Sequence, residues 1–314
     1  MTPMFILAIC VAAPVAALAL LTAVVKWRIE AALPAPGYFV DVPGARLHVF
    51  EKGSGPALLL IHGLAGNLWH FRYGVMDHLA SQYRVIAVDR PGSGYSERTR
   101  DAPAALYAQA DVMAALIDAL QLERPVVAGH SLGGAIALAL AQRHPGKVAA
   151  LALIAPLTHA PRTMSAAFDG LMIKRNWMRH LIAWTVAVPM GIATSRKVFG
   201  LAFGPELAPR DYGTRAGGLL SMRPSHFVAA ATDLDAAWQD IAEIQRRYGE
   251  VRLPVAVLYG RGDRILDPCE QGQALVDKLP AAHLELVDGG HMLPVTQART
   301  TASFIGTFAQ RART

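Results

Sequence analysis

Ser131 lies at the centre of Gly129-His130-Ser131-Leu132-Gly133-Gly134. The apolar run 125–128 precedes this segment, and a helical pattern that stops near Pro145 follows it. A strand–turn–helix junction of this composition takes the chain through a sharp turn and projects the serine hydroxyl clear of the sheet. Gly129 and Gly133 stand where a Cβ would collide across the turn. A helix starting at Leu132 aims its free N–H groups at negative charge developing beside Ser131. The chemistry suited to this arrangement is nucleophilic attack with transient acylation. A serine hydroxyl is weak alone, so it needs a base, and the base needs an orienting acid.

Two downstream loops carry candidates. The apolar run 254–259 ends in Gly260-Arg261-Gly262-Asp263, and the short run 284–287 is followed by Asp288-Gly289-Gly290-His291. An Asp one turn beyond a buried strand can reach the sheet edge that holds Ser131, and the second loop can swing His291 toward it. Asp263 is therefore the expected acid and His291 the expected base. Asp267 precedes Pro268 and is expected to cap the next helix. Asp288 sits too near His291 in sequence to face its ring, and the run 148–154 ends in Ala155-Pro156 without a carboxylate. His62 is expected to hydrogen-bond a loop, and His130 to point away from the chemistry. His70, His78, His144 and His283 read as surface or helix positions. No histidine spacing suggests a metal site, so no metal and no cofactor are expected. Stabilising a tetrahedral oxyanion takes backbone donors. The N–H of Leu132 is one candidate, and that of Leu64, in His62-Gly63-Leu64-Ala65-Gly66, is the other.

The elements that must position these residues follow from hydropathy. Continuous apolar runs at 57–61, 84–88, 125–128, 148–154 and 254–259 indicate parallel strands covered on both faces. A β-rich start at 38–42 and 46–51 turns at Pro43-Gly44. Helical patterns near 67–80, 104–121, 132–144, 270–279 and 294–311 alternate with the strands, giving a doubly wound α/β domain. Residues 156–252 break this rhythm with helical patterns alone. They read as a helical cap whose last helix, about 225–248, returns to the sheet. The expected organisation is a tail at 1–4, an apolar anchor at 5–25, a linker at 26–37, the first part of the core at 38–155, the cap at 156–252, and the second part of the core at 253–314.

Together these residues resemble the α/β-hydrolase superfamily, in its branch of lid-bearing esterases, lipases and carbon–carbon bond hydrolases. His62-Gly63 is similar to that family's oxyanion loop, and Asp89-Arg90-Pro91-Gly92-Ser93-Gly94-Tyr95-Ser96 to its D-x-P-G-x-G-x-S turn. Gly129 to Gly133 resembles the nucleophile elbow. The likeness runs from about Tyr38 to Phe308. It implies the chain order Ser, acid, His, which selects Asp263 and His291. A Ser nucleophile departs from the Asp of epoxide hydrolases and haloalkane dehalogenases. The cap shows no paired carboxylates of the kind proline iminopeptidases use to hold an amine.

The run FILAICVAAPVAALALLTAVV at 5–25 holds no charge, and as a helix it would span about 30 Å. Lys26, Trp27 and Arg28 follow, as at a membrane interface. No Lys or Arg precedes the run, which is also longer than a usual signal-peptide core, so an uncleaved anchor is expected over an exported, cleaved signal. The basic residues Lys26, Arg28, Arg46 and Lys52 place the domain in the cytoplasm by the positive-inside rule. A net charge of +6 without a run of five basic residues gives no expectation of a nucleic-acid partner. Of two cysteines, Cys10 falls in the apolar run and leaves Cys269 alone in the rest, so no disulfide forms there. The cap sets Arg162, Lys174, Arg175, Arg179, Arg196 and Lys197 among Trp177, Leu181 and Trp184. It reads either as a surface that meets anionic lipid and admits acyl chains, or as an ordinary amphipathic cap with a solvated basic face. The expected activity is hydrolysis of esters with apolar acyl chains through a Ser131 acyl-enzyme. Carbon–carbon bond hydrolysis, acyl transfer with the same triad, and a tethered non-catalytic binding protein are the alternatives. The oligomeric state is not legible.

Overall fold

A computed structural model describes residues 3–279 and 282–312, so residues 1 and 2 of the expected tail lie outside the described residues. Helix α1 runs over Pro3–Ala32. Strands β1 (Tyr38–Val42), β2 (Ala45–Lys52), β3 (Ala57–Ile61), β4 (Arg84–Val88) and β5 (Glu97–Arg98) follow. Then come helix α2 (Leu106–Ala119), strand β6 (Val126–His130), helix α3 (Leu132–Arg143) and strand β7 (Ala150–Ile154). The cap holds helices α4 (Asn176–Trp184), α5 (Ala187–Ala202) and α6 (Pro224–Arg246). Strands β8 (Val255–Gly260) and β9 (Ala282–Val287) and helix α7 (Ala298–Arg311) complete the fold.

The sheet order is β1-β2-β4-β3-β6-β7-β8-β9, with β5 paired to β2. Pairings from β4 through β3, β6, β7 and β8 to β9 are parallel, and those made by β2 are antiparallel. The expected α/β-hydrolase architecture, a mostly parallel doubly wound sheet with a helical insertion, is the observed one. The five central strands are buried almost throughout because helices cover both faces. Alternate residues serve opposite layers: Leu59, Ile61, Val127 and Leu153 pack with α2 and α3, whereas Leu58, Leu60, Val126 and Ala152 pack with α7. Each such buried leucine contributes roughly 1.5–3 kcal/mol relative to exposure.

Several boundaries differ from the sequence reading. The helix expected near 67–80 is two short turns, Trp69–Arg72 and Val75–Leu79. They are split at Gly74, where a Cβ would come within 2.8 Å of Ala298. The pattern at 294–311 also divides, into Leu293–Thr296 and α7. The region 270–279 opens with a wide π-helical turn at Cys269–Gln273. The linker expected to start at residue 26 is helical as far as Ala32, because α1 finds partners on the folded domain. Ile29 and Leu33 are buried, and Glu30 pairs with Arg223 at 2.8 Å. Tyr95 Oη donates to the Leu33 carbonyl. Within α1, Ala12–Ala32 forms a 21-residue apolar helix long enough to cross a membrane.

Candidate active site

The elbow forms where β6 meets α3. Ser131 holds φ 53° and ψ −118°, a strained conformation for a residue with a Cβ. It is kept there from both sides: its N–H donates to the Ile154 carbonyl at 3.0 Å, and its carbonyl accepts from Leu157 N–H at 3.0 Å. The flanking glycines are steric requirements. A Cβ on Gly129 would meet the Gly133 carbonyl, and one on Gly133 would meet the Ile61 carbonyl of β3.

Asp263 and His291 come together across β8 and β9. Asp263 Oδ2 lies 2.7 Å from His291 Nδ1, and its carboxylate is fully buried. The other oxygen accepts from the N–H groups of Ile265 and Leu266, at 2.8 and 3.0 Å. The rivals lie elsewhere. Asp267 caps the following turn through Cys269 N–H and Glu270 N–H. Asp288 is solvent-exposed beside Arg261.

His130 binds the elbow to the histidine loop. Its Nε2 is 3.0 Å from the His291 carbonyl, and the two imidazole centroids are 5.0 Å apart. The Ser131 hydroxyl makes no hydrogen bond among the described residues and opens on a cleft. Ser131, Leu132 and Leu64 line this cleft with Leu157, Met164, Phe168, Leu234, Trp238, Ile241, Ile265 and Leu266. The cleft holds about 540 Å³ including its mouth. The N–H of Leu64 is taken by no backbone carbonyl among the described residues, and that of Leu132 opens α3. Gly63 lets the two loops approach, since a Cβ there would stand 2.9 Å from that of Ser131.

A support for the loop at 62–66 is absent from the sequence reading. Arg90 is wholly buried and donates to the carbonyls of His62 and Gly63, both at 3.1 Å. Its charge is met by Asp233 of α6 at 2.5 Å, and Asp233 also receives Arg98 at 2.5 Å. The turn at 89–96, the loop at 62–66 and the cap helix are thus joined through one buried ion pair. Arg90 was visible only as one residue of a turn motif. Nothing in the sequence links it to Asp233, 143 positions on.

Histidines cluster behind this loop. His62 hydrogen-bonds the Gly63 carbonyl through Nδ1 at 2.8 Å and accepts from Arg90 N–H at 3.0 Å. His70, expected at a surface or helix position, lies in the short helix Trp69–Arg72 and is buried, with Nε2 3.3 Å from Tyr212 Oη. The cap supplies the tyrosine that covers it. Burial pushes the His70 and His226 imidazoles down to about 4, with added repulsion between the two at His70. Burial pushes His62 and His130 well down as well, helped by Arg90 at the first and His291 at the second. These rings stay neutral near pH 7, so each offers one donor and one acceptor.

The fold and this site define a hydrolase. The α/β hydrolase fold family model matches residues 56–298, and the chain belongs to that family. The chain is 30% identical over 292 residues to 2-hydroxymuconate semialdehyde hydrolase of Pseudomonas sp. strain CF600, covering 89% of this chain and 95% of that protein. Among solved structures it is similar to a membrane phospholipase A described as a bacterial virulence factor. That likeness has a TM-score of 0.71 and 26% identity, and covers 98% of this chain and 97% of the other. The fold is shared with the enol-lactonase of Burkholderia xenovorans LB400 at a TM-score of 0.69 and 20% identity, over 87% of this chain and all of that one.

Proposed function

We propose that the protein is a serine hydrolase that cleaves carboxylic esters with apolar acyl chains through an acyl-enzyme on Ser131. The observation that carries this reading is the cleft itself. Ser131 lies among its lining residues with Leu64 and Leu132, and apart from Ser165 the rest of the lining is aliphatic or aromatic. His291 takes the Ser131 proton as the ester is attacked, returns it to the leaving alcohol, then activates water for deacylation. Asp263 orients the imidazole and stabilises its charged form. The N–H groups of Leu64 and Leu132 receive the oxyanion. No hydrogen bond joins His291 to Ser131 in the resting structure, and contacts of this kind commonly tighten only with substrate in place.

The likeness to 2-hydroxymuconate semialdehyde hydrolase favours carbon–carbon bond hydrolysis as a second reading. Against it, no Arg or Lys among the described residues lines the cleft to pair with an acidic substrate, which suits a neutral ester. An ester panel graded by acyl length, run beside a ring-cleavage diketone acid, separates the two. Preference for octanoyl over acetyl esters supports the proposal, and turnover of the diketone alone overturns it. Labelling by a fluorophosphonate that disappears in Ser131→Ala tests the nucleophile and excludes a non-catalytic scaffold.

Helix α1 is read as an uncleaved membrane anchor, with the hydrolase domain on the cytoplasmic side where Lys26, Arg28, Arg46 and Lys52 lie. Activity of a periplasm-only reporter fused at the C-terminus would reverse that orientation.

A further inference from the structure

Helix α4 of the cap turns a basic side chain inward and leaves large apolar ones outward, beside the exposed Asn176 and His180. Its Arg179 is 5% exposed, whereas Trp177, Leu181 and Trp184 are 60%, 49% and 40% exposed. The guanidinium is fastened inward. It donates to the Ile173 carbonyl at 2.6 Å and to Thr232 Oγ1 at 3.2 Å, and it pairs with Asp235 of α6 at 3.1 Å. The three exposed apolar residues recur at i, i+4 and i+7 and form one stripe along the helix, shared with the exposed His180. Met190 and Ile192 of α5, 52% and 58% exposed, add to the apolar surface of the cap. A water-facing helix carries polar groups on its outer stripe, and a large apolar surface marks a contact.

We infer that this face of the cap seats in the boundary between headgroups and acyl chains of an anionic bilayer, beside α1. The inference rests on the reading of α1 as an anchor. Depth is the first argument. The uncharged run of α1 ends at Val25, and the next residue, Lys26, places its Nζ 6.0 Å from the Trp184 ring centroid. The end of the α4 stripe therefore stands where α1 leaves the hydrocarbon, the level that tryptophan and lysine favour. Rigidity is the second. The Glu30–Arg223 pair and the buried Ile29 and Leu33 hold α1 against the domain, so the cap cannot swing away from the membrane. Charge is the third. Lys174 and Arg175 at the head of α4, and Arg196 on α5, are exposed and suited to lipid phosphates. An interfacial helix sinks about 5–10 Å below the headgroups. Helix α4 packs on α6, whose Leu234 and Trp238 line the cleft, so one helix separates the bilayer from the acyl site.

The test uses the full chain reconstituted in phosphatidylcholine–phosphatidylglycerol vesicles. Quenching of tryptophan fluorescence by lipids brominated high on the acyl chain should fall by at least half in W177F/W184F. In W177S/L181S/W184S, hydrolysis of a vesicle-borne long-chain ester should drop at least tenfold, while a soluble butyrate ester and Tm stay within twofold and 2 °C, respectively. Undiminished quenching in W177F/W184F, or an unchanged vesicle rate, overturns the inference. So does a detergent-stable dimer that the triple variant dissociates, which would assign the face to a second copy of the chain. If the esterase reading itself fails, neither ester is hydrolysed, yet the quenching still reports whether the face meets lipid.

Discussion

His291 Nδ1 and Asp263 Oδ2 meet at 2.7 Å, and the second oxygen of Asp263 is already engaged by two backbone N–H groups. The carboxylate is therefore fixed before it holds the imidazole. An unanchored aspartate could rotate about χ2, and the ring would turn with it. Here the loop 263–266 sets the carboxylate plane, and the plane sets the direction of Nε2.

Removing this pairing should be graded in effect. Ser131→Ala and His291→Ala should each lower kcat by at least three orders of magnitude. Ser131→Ala should leave Tm unchanged, whereas His291→Ala should lower it, because the buried Asp263 carboxylate loses its partner. Asp263→Asn should cost less than Ser131→Ala, because it misorients the base and leaves the nucleophile present. Initial rates on an octanoyl ester, beside thermal melts, check this. Full activity in Asp263→Asn would transfer the acid's role to another carboxylate.

The Arg90–Asp233 pair should behave as a buried ion pair. Asp233→Ala leaves the Arg90 guanidinium uncompensated in a dry site and should destabilise the fold by about 3–5 kcal/mol. Because Arg90 also holds the carbonyls of His62 and Gly63, the folded fraction should lose kcat more than it gains KM. Urea unfolding and active-site titration separate the two effects.

Acid should destabilise the fold through its neutral histidines. His70 faces Tyr212, His226 and Asp89, while His226 faces Gly94 N–H, Asp89, Arg223 and Arg90. Burial pulls both from the ordinary imidazole value down to about 4. The unfolded chain takes up these protons as pH drops below about 6.5, whereas the folded chain does so only near 4. Their contribution, on the order of 3 kcal/mol each, is thus present above pH 6.5 and lost as pH falls toward 4. Tm measured from pH 7.5 to 4.5 should decline, and His70→Gln should flatten the slope. An identical slope in that variant would place the acid sensitivity elsewhere.

The acyl site should respond to volume. Leu234 lines the cleft from α6, and Leu234→Trp should cut octanoyl ester turnover at least tenfold while sparing acetyl esters. Equal losses on both esters would mean that the acyl chain lies elsewhere.

Much of this protein was legible before any coordinates. Uniform apolar runs indicated strands covered on both sides, and the glycine spacing around Ser131 indicated a tight turn, because these are local demands of backbone and solvent. Asp263 and His291 were readable as candidates because each follows a strand that ends at the same sheet edge. What the tertiary structure decided were contacts between segments remote in sequence. Arg90 finds Asp233 only when the cap folds over the loop at 62–66. His70 is buried because Tyr212 covers it, and α1 stays helical to Ala32 because Arg223 and Tyr95 await its end. Arg179 read as one of the basic residues of a lipid-facing or solvated cap surface, yet its charge turns inward to Asp235 and its tryptophan neighbours turn out. Periodicity shows that a helix has two faces, but which one is buried depends on the partner packed against it.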